Sequence, residues 1–203
     1  MPMQPHYWEL PAKLAAREEN AAVYRRLTGN HSIPKDKGYW TLCNEQPLKK
    51  GAEIVQLCDI GLISKNQFFG VDWDEKIIAE NKLAHPIANW FCGDWIKVIR
   101  DCDDFNPAFV YLDSTKFADH VAAASLVAST MHFCGGDTVL LANMMLNDPR
   151  SRKRFDYRPF VHHLSNIVGP IELGKWSPNV ECYCYNGSGK TEMITYILHK
   201  LED

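Results

Sequence analysis

No stretch of the 203-residue sequence is apolar for long enough to cross a bilayer as a helix. The seven cysteines, at 43, 58, 92, 102, 134, 182 and 184, include no Cys-x-x-Cys pair. No His or carboxylate is spaced to complete a zinc set with Cys182 and Cys184, so no metal site is expected. Several of these thiols fall inside apolar patterns, where free Cys behaves as a small buried hydrophobe. Together with the missing signal peptide, this gives a reducing cytoplasm as the expected compartment. Charge imbalance is missing too: the net charge of −3 makes no global case for nucleic-acid binding and leaves only a local basic face open. What remains is ordinary for a globular chain, 46% hydrophobic and 23% charged, of a length that suits one domain.

The pattern that organises the chain is Gln67-Phe68-Phe69-Gly70-Val71-Asp72-Trp73-Asp74. A β-prone apolar run ends in two carboxylates, and a helix-like segment from Glu75 to Ala84 follows. The same order recurs where Ala88–Cys92 runs into Gly93-Asp94-Trp95, and where Ala108–Leu112 runs into Asp113-Ser114-Thr115. Strands alternating with helices indicate βαβ units, a parallel sheet and one rim that collects the strand C-terminal ends. Ligands of open α/β sheets bind outside that rim, which would gather Asp72, Asp94 and Asp113 around one site. Each acid also has a structural reading, since an acid after a strand is a common helix N-cap.

In chain order, residues 1–37 read as an N-terminal extension with one helix, Pro11 to Leu27, started by Pro and closed by Gly29. Its weak apolar stripe, Leu14, Ala21, Tyr24 and Leu27, places it across the fold rather than inside it, where it either covers a site or, the preferred reading, caps an edge as an appendage. Residues 38–203 form the α/β domain. Tyr39–Cys43 is the first strand and Ala52 to about Ile63 the first crossover helix, which puts Asn44 and Glu45 on the rim beside Asp72. No glycine occurs between Tyr39 and Lys50, although a first βα turn that holds a nucleotide closely normally needs them. Ala118 to Phe133 is helical, Thr138–Asn143 is a fifth strand, and Phe160 to Val168 is a further helix.

Between Asn147 and Arg158 the chain becomes basic, with Arg150, Arg152, Lys153, Arg154 and Arg158. This cluster either grips phosphates through charge-assisted hydrogen bonds or is a solvated helix start. Two β segments, about Asn179–Tyr185 and Thr191–Leu198, end the chain around Asn186-Gly187-Ser188-Gly189-Lys190. The Gly-Ser-Gly-Lys-Thr string is not a P-loop, because Cys184 stands where the motif needs glycine and the following residues are β-prone. An Asn-Gly hairpin turn fits better.

Five βα-type strands followed by a terminal hairpin resemble the class I S-adenosylmethionine-dependent methyltransferases, over about residue 38 to the C-terminus. The resemblance implies a Rossmann-like three-layer α/β sandwich, with a mostly parallel sheet and a C-terminal antiparallel hairpin. It implies S-adenosylmethionine as cofactor, held by Cys43, Asn44 and Glu45 after the first strand, by Asp72 on the ribose and Trp73 on the adenine, and by Gly93, Asp94 and Trp95 after the third. Asp113 and Ser114 would position or deprotonate the acceptor. The family's glycine-rich loop is replaced here by Cys43-Asn44-Glu45-Gln46-Pro47. Asp113-Ser114-Thr115-Lys116-Phe117 shares only its acid and a displaced aromatic with the Asp-Pro-Pro-Tyr of base-amino methyltransferases. The compact layout also resembles small methyltransferase-like proteins of bacteriophages.

Two functions follow. One is methyl transfer to an acceptor that bears phosphate, nucleic acid ahead of a small metabolite, through residues 150–158. The other is a binding module that keeps the fold without catalysis. A crevice filled by Trp40, Trp73 or Trp95 would favour the module, and an open one the enzyme.

Overall fold

A computed structural model describes residues 11–42, 52–113, 120–148, 153–154, 158–169, 173–176, 181–186 and 192–201. The elements in order are α1 (Pro11–Thr28), β1 (Gly38–Leu42), α2 (Glu53–Asp59), β2 (Phe68–Asp72), α3 (Glu75–Ala84), β3 (Asn89–Cys92), α4 (Trp95–Asp101), β4 (Pro107–Asp113), α5 (His120–Phe133) and β5 (Val139–Met145). The short pair β6 (Asn147–Asp148) and β7 (Lys153–Arg154) comes next, then α6 (Arg158–Val168), β8 (Glu181–Asn186) and β9 (Glu192–His199).

Seven strands form one sheet in the order β3-β2-β1-β4-β5-β9-β8. The first five run parallel; β9 is antiparallel to both β5 and β8, so the last strand lies between them. The fold is thus the expected Rossmann-like sandwich with a terminal antiparallel hairpin. Strand order reverses at β1, which has β2 on one side and β4 on the other. That is the topological switch point, where an open α/β sheet leaves a crevice between diverging crossovers.

Side chains alternate across the sheet and feed two cores. One face packs Trp40, Val71, Val110, Leu112 and Leu140 against Trp95 and Ile99 of α4, Val127 of α5 and Phe160 of α6. The other packs Tyr39, Phe68, Phe109 and Leu141 against Ala21 and Tyr24 of α1, Ile54 and Leu57 of α2, and Ile78 of α3.

Three expectations need correction. Helix α1 is no edge appendage: Ala21 and Tyr24 are fully buried, Tyr24 stacks on Phe109, and Gln56 Nε2 of α2 donates to the Leu14 carbonyl at 2.8 Å. Helix α2 ends at Asp59, short of Ile63, because Gly61 takes φ 70° and closes a Schellman cap. Gly61 N–H donates to Cys58 O and Leu62 N–H to Leu57 O there, which satisfies carbonyls that the helix leaves open. Lys153 and Arg154 begin no helix; they pair as a strand with Asp148 and Asn147.

Candidate functional site

Backbone register places the strand-end acids. Val71 lies opposite Leu42, and Tyr111 opposite Thr41. Asp72 and Asp113 therefore end the two neighbours of β1 at one height, just past Leu42, about two strand spacings or roughly 10 Å apart. The row continues outward, with Cys92 opposite Asp72, Asn143 opposite Asp113 and Thr195 opposite Asn143. Val71, Leu112, Ala142 and Ile194 belong to the α4–α6 core, so by alternation Asp72, Asp113, Asn143 and Thr195 face the α1–α3 layer. A polar row thus crosses the sheet under α1–α3 at the switch point.

Asp72 is 8% exposed, and its Oδ1 accepts the Asp74 amide at 2.8 Å, which fixes the carboxylate at the turn into α3. Capping of α3 falls to Asp74, whose Oδ1 accepts from Lys76 N and Ile77 N, and so Asp72 is relieved of that role. Trp73 between them is 74% exposed. The neighbouring turn is tied in by Gly93, at φ 149°, whose N–H donates to Asp72 O at 2.9 Å. Asp94 is exposed and serves as N-cap of α4, accepting the Lys97 amide at 3.1 Å.

Trp95 departs from its expected place. It is 4% exposed, on the α4–α6 face, with its indole N–H given to Thr130 Oγ1 of α5 at 2.9 Å. Trp40 is equally remote from the crevice, sandwiched on the same face with Phe69 and Phe91 at centroid distances of 4.3 and 5.6 Å. Of the three tryptophans considered as fillers of the crevice, two pack on the opposite face and Trp73 stands out to solvent.

Asp113 is the best-organised acid of the row. Its Oδ2 meets Lys13 Nζ of α1 at 3.0 Å, and its Oδ1 accepts Asn143 Nδ2 at 2.7 Å. Thr195 then donates to Asn143 Oδ1 at 3.2 Å. One helical turn after Lys13, Arg17 approaches Glu53 to 4.0 Å, both side chains about 5% exposed. Tyr39 donates its hydroxyl to Glu53 Oε1. Burial pushes the Glu53 carboxyl up, opposed by the Arg17 charge and the Tyr39 hydrogen bond; Asp113 pushes it up further. Burial also pushes the Tyr39 phenol well up, so it is a neutral donor to this carboxylate.

Lys13, Arg17, Glu53, Asn143 and Thr195 were not among the expected site residues. For Lys13 and Arg17 a signal exists in the spacing Lys13, Arg17, Asn20, Ala21, Tyr24, a helical stripe that begins cationic and ends apolar, whereas Glu53, Asn143 and Thr195 have none. Cys43, Asn44, Glu45, Ser114, Arg150 and Arg152 lie outside the described residues, as do the side chains of Lys153 and Arg154. Among the described residues no group of three or more metal-ligating side chains comes together, and no helix is long and apolar enough to cross a membrane.

No protein-family model matches the chain, and no curated protein sequence does. Solved structures do. The N-methyltransferase NodS from Bradyrhizobium japonicum WM9, in complex with S-adenosyl-L-homocysteine, superposes with a TM-score of 0.58 at 8% identity, over 96% of this chain and 90% of that one. An S-adenosylmethionine-dependent methyltransferase from Clostridium acetobutylicum gives 0.54 at 12% identity, over 96% and 94%. Trm5b from Pyrococcus abyssi gives 0.54 at 9% identity over 91% of this chain and 48% of that chain, so the present chain spans about half its length. Identities this low establish the fold: the chain has the architecture of the class I methyltransferases.

Proposed function

We propose that the chain is an S-adenosylmethionine-dependent methyltransferase whose cofactor lies at the switch point, across the ends of β2, β1 and β4. The observation that carries this reading is the pair Asp72 and Asp113, which end the two neighbours of β1 at one height and on one face. The crevice beside them is not filled by Trp40 or Trp95. The Asp72 carboxylate suits a cationic cofactor, and a partly desolvated site strengthens the attraction. The NodS structure that this fold matches holds S-adenosyl-L-homocysteine, which supports the same cofactor class here.

In this reading Asp72 binds the ribose hydroxyls, its carboxylate pre-set by the Asp74 amide. Trp73, exposed beside it, stacks on the adenine. The cofactor supplies the methyl group; the chain aligns donor and acceptor and keeps water out. Asp113 acts as a fixed anchor for the acceptor, because Lys13 and Asn143 each hold one of its oxygens in place. Gly93 and Asp94 shape the adenine side of the rim, and Trp95 supports it from the core. The Arg150 to Arg158 segment, which includes Arg152, Lys153 and Arg154, makes a phosphate-bearing acceptor, nucleic acid first, the preferred substrate class.

The engagement of both Asp113 oxygens within the chain favours one second reading, a non-catalytic module of the same fold. Equilibrium dialysis against labelled S-adenosylmethionine separates the two. One cofactor bound per chain at micromolar concentration is expected, and no binding at millimolar concentration would leave the module.

A further inference from the structure

Lys13 lies 100 residues from Asp113 in sequence, yet its ammonium meets Asp113 Oδ2 at 3.0 Å, with side-chain exposures of 16% and 14%. The pair sits at the switch point, on the α1–α3 face that the carboxylate row shares. Helix α1 is anchored there independently, by Tyr24 stacked on Phe109 and by Leu14 O bound to Gln56. The lysine is thus held over the rim by a helix that does not depend on it.

A lone carboxylate at this place would favour a cationic ligand over a neutral one of the same shape, and a neutralised carboxylate would not. The methyl donor and its product differ in this respect: S-adenosylmethionine carries a sulfonium, S-adenosylhomocysteine a neutral thioether. A site that must let product go and take up donor gains from a bias toward the cation, and a fixed lysine trims that bias.

We propose that Lys13 is a specificity-determining residue of the cofactor site: by neutralising Asp113 it sets the relative affinity for the sulfonium-bearing donor and its neutral product. The proposal rests on the methyltransferase reading above. Loss of the lysine charge raises the preference for donor. Loss of the Asp113 charge, with Lys13 kept, leaves an excess cation and shifts preference to product. Removal of both restores the original ratio.

The test is calorimetric titration of wild type, Lys13→Met, Asp113→Asn and the double variant with S-adenosylmethionine and with S-adenosylhomocysteine. The expected change in the affinity ratio is about five- to tenfold, upward in Lys13→Met and downward in Asp113→Asn, the size that a nearby unit charge exerts in partly hydrated surroundings. The double variant returns to within about twofold of wild type. A purely structural role would weaken both ligands together and leave the ratio unmoved in every variant, which would overturn the proposal while the cofactor site stands. Binding of neither ligand to the wild type would overturn both. Lys13→Arg keeps the charge and should keep the ratio; a changed ratio there would also count against the proposal.

Discussion

Tyr24 of α1 stacks on Phe109 of β4 with ring centroids 5.4 Å apart and planes 9° from parallel. The contact makes α1 part of the sandwich and carries Lys13 and Arg17 to the ends of β4 and α2. Burial pushes the Tyr24 phenol up to about 12, so the ring stays neutral in the core.

Tyr24→Ala should therefore cost about 3–5 kcal/mol, the usual loss for a buried aromatic truncated in a packed core. Urea unfolding followed by circular dichroism checks this. A loss under about 1 kcal/mol would mean that α1 is dispensable to the core.

The two tryptophans at strand ends should behave oppositely. Trp73→Ala leaves stability within about 0.5 kcal/mol, because the ring is exposed. It should weaken S-adenosylhomocysteine by about 1–3 kcal/mol, the range of a base stacked on an aromatic ring. Trp95→Phe removes the hydrogen bond to buried Thr130 and leaves space in the core, so it should destabilise by about 1–3 kcal/mol. Paired melts and titrations check both, and a stability loss confined to Trp73→Ala would reverse the assignment.

Glu53 gives a pH signature. Its folded-state pKa is raised by burial, so the native state holds the proton more tightly than the unfolded chain does. Its contribution to stability is full below the unfolded-state pKa and is lost as pH climbs through the raised folded value. Glu53→Gln cannot titrate, so its stability relative to wild type should improve as pH rises from the ordinary glutamate range upward. Urea midpoints of the two proteins across that window check the sign, and a relative decline would contradict it.

The thiols should divide by environment. Cys134 is buried, donates to Thr130 O at 3.4 Å, and burial pushes its pKa up to about 12. Cys92, Cys182 and Cys184 are exposed. A short iodoacetamide pulse on the native protein, read by mass spectrometry, should label those three before Cys134. Labelling of Cys134 first would mean that the α5 end opens.

How far the site was legible follows from how each residue is carried. Asp72 and Asp113 could be read because an apolar β-prone run that stops at an acid is a local pattern, and each does end its strand. The parallel part of the sheet followed from alternation of strands and helices, whereas the order of its strands came only from the structure. Asn143 and Thr195 could not be read, because each lies within a strand that is apolar around it and gains its partner only through register. Lys13 and Arg17 were hidden by the same charge that makes them useful. A hydropathy stripe counts them as solvent-facing, whereas Arg17 is buried against Glu53 and Lys13 is held against Asp113. Trp95 shows the reverse case: its position after the third strand pointed to the rim, but the first turn of α4 directs it down onto α5. Asp94 kept the structural role that an acid after a strand often has, as a helix cap.

The most direct test of the cofactor rim is calorimetric titration of S-adenosylhomocysteine into the purified wild type and into Asp72→Ala. The account predicts micromolar, one-to-one binding to the wild type and a loss of at least about tenfold in the folded variant, since a charge-assisted hydrogen bond contributes roughly 1.5–3 kcal/mol. Equal affinity in the two proteins, or no heat from folded wild type at saturating ligand, would contradict it.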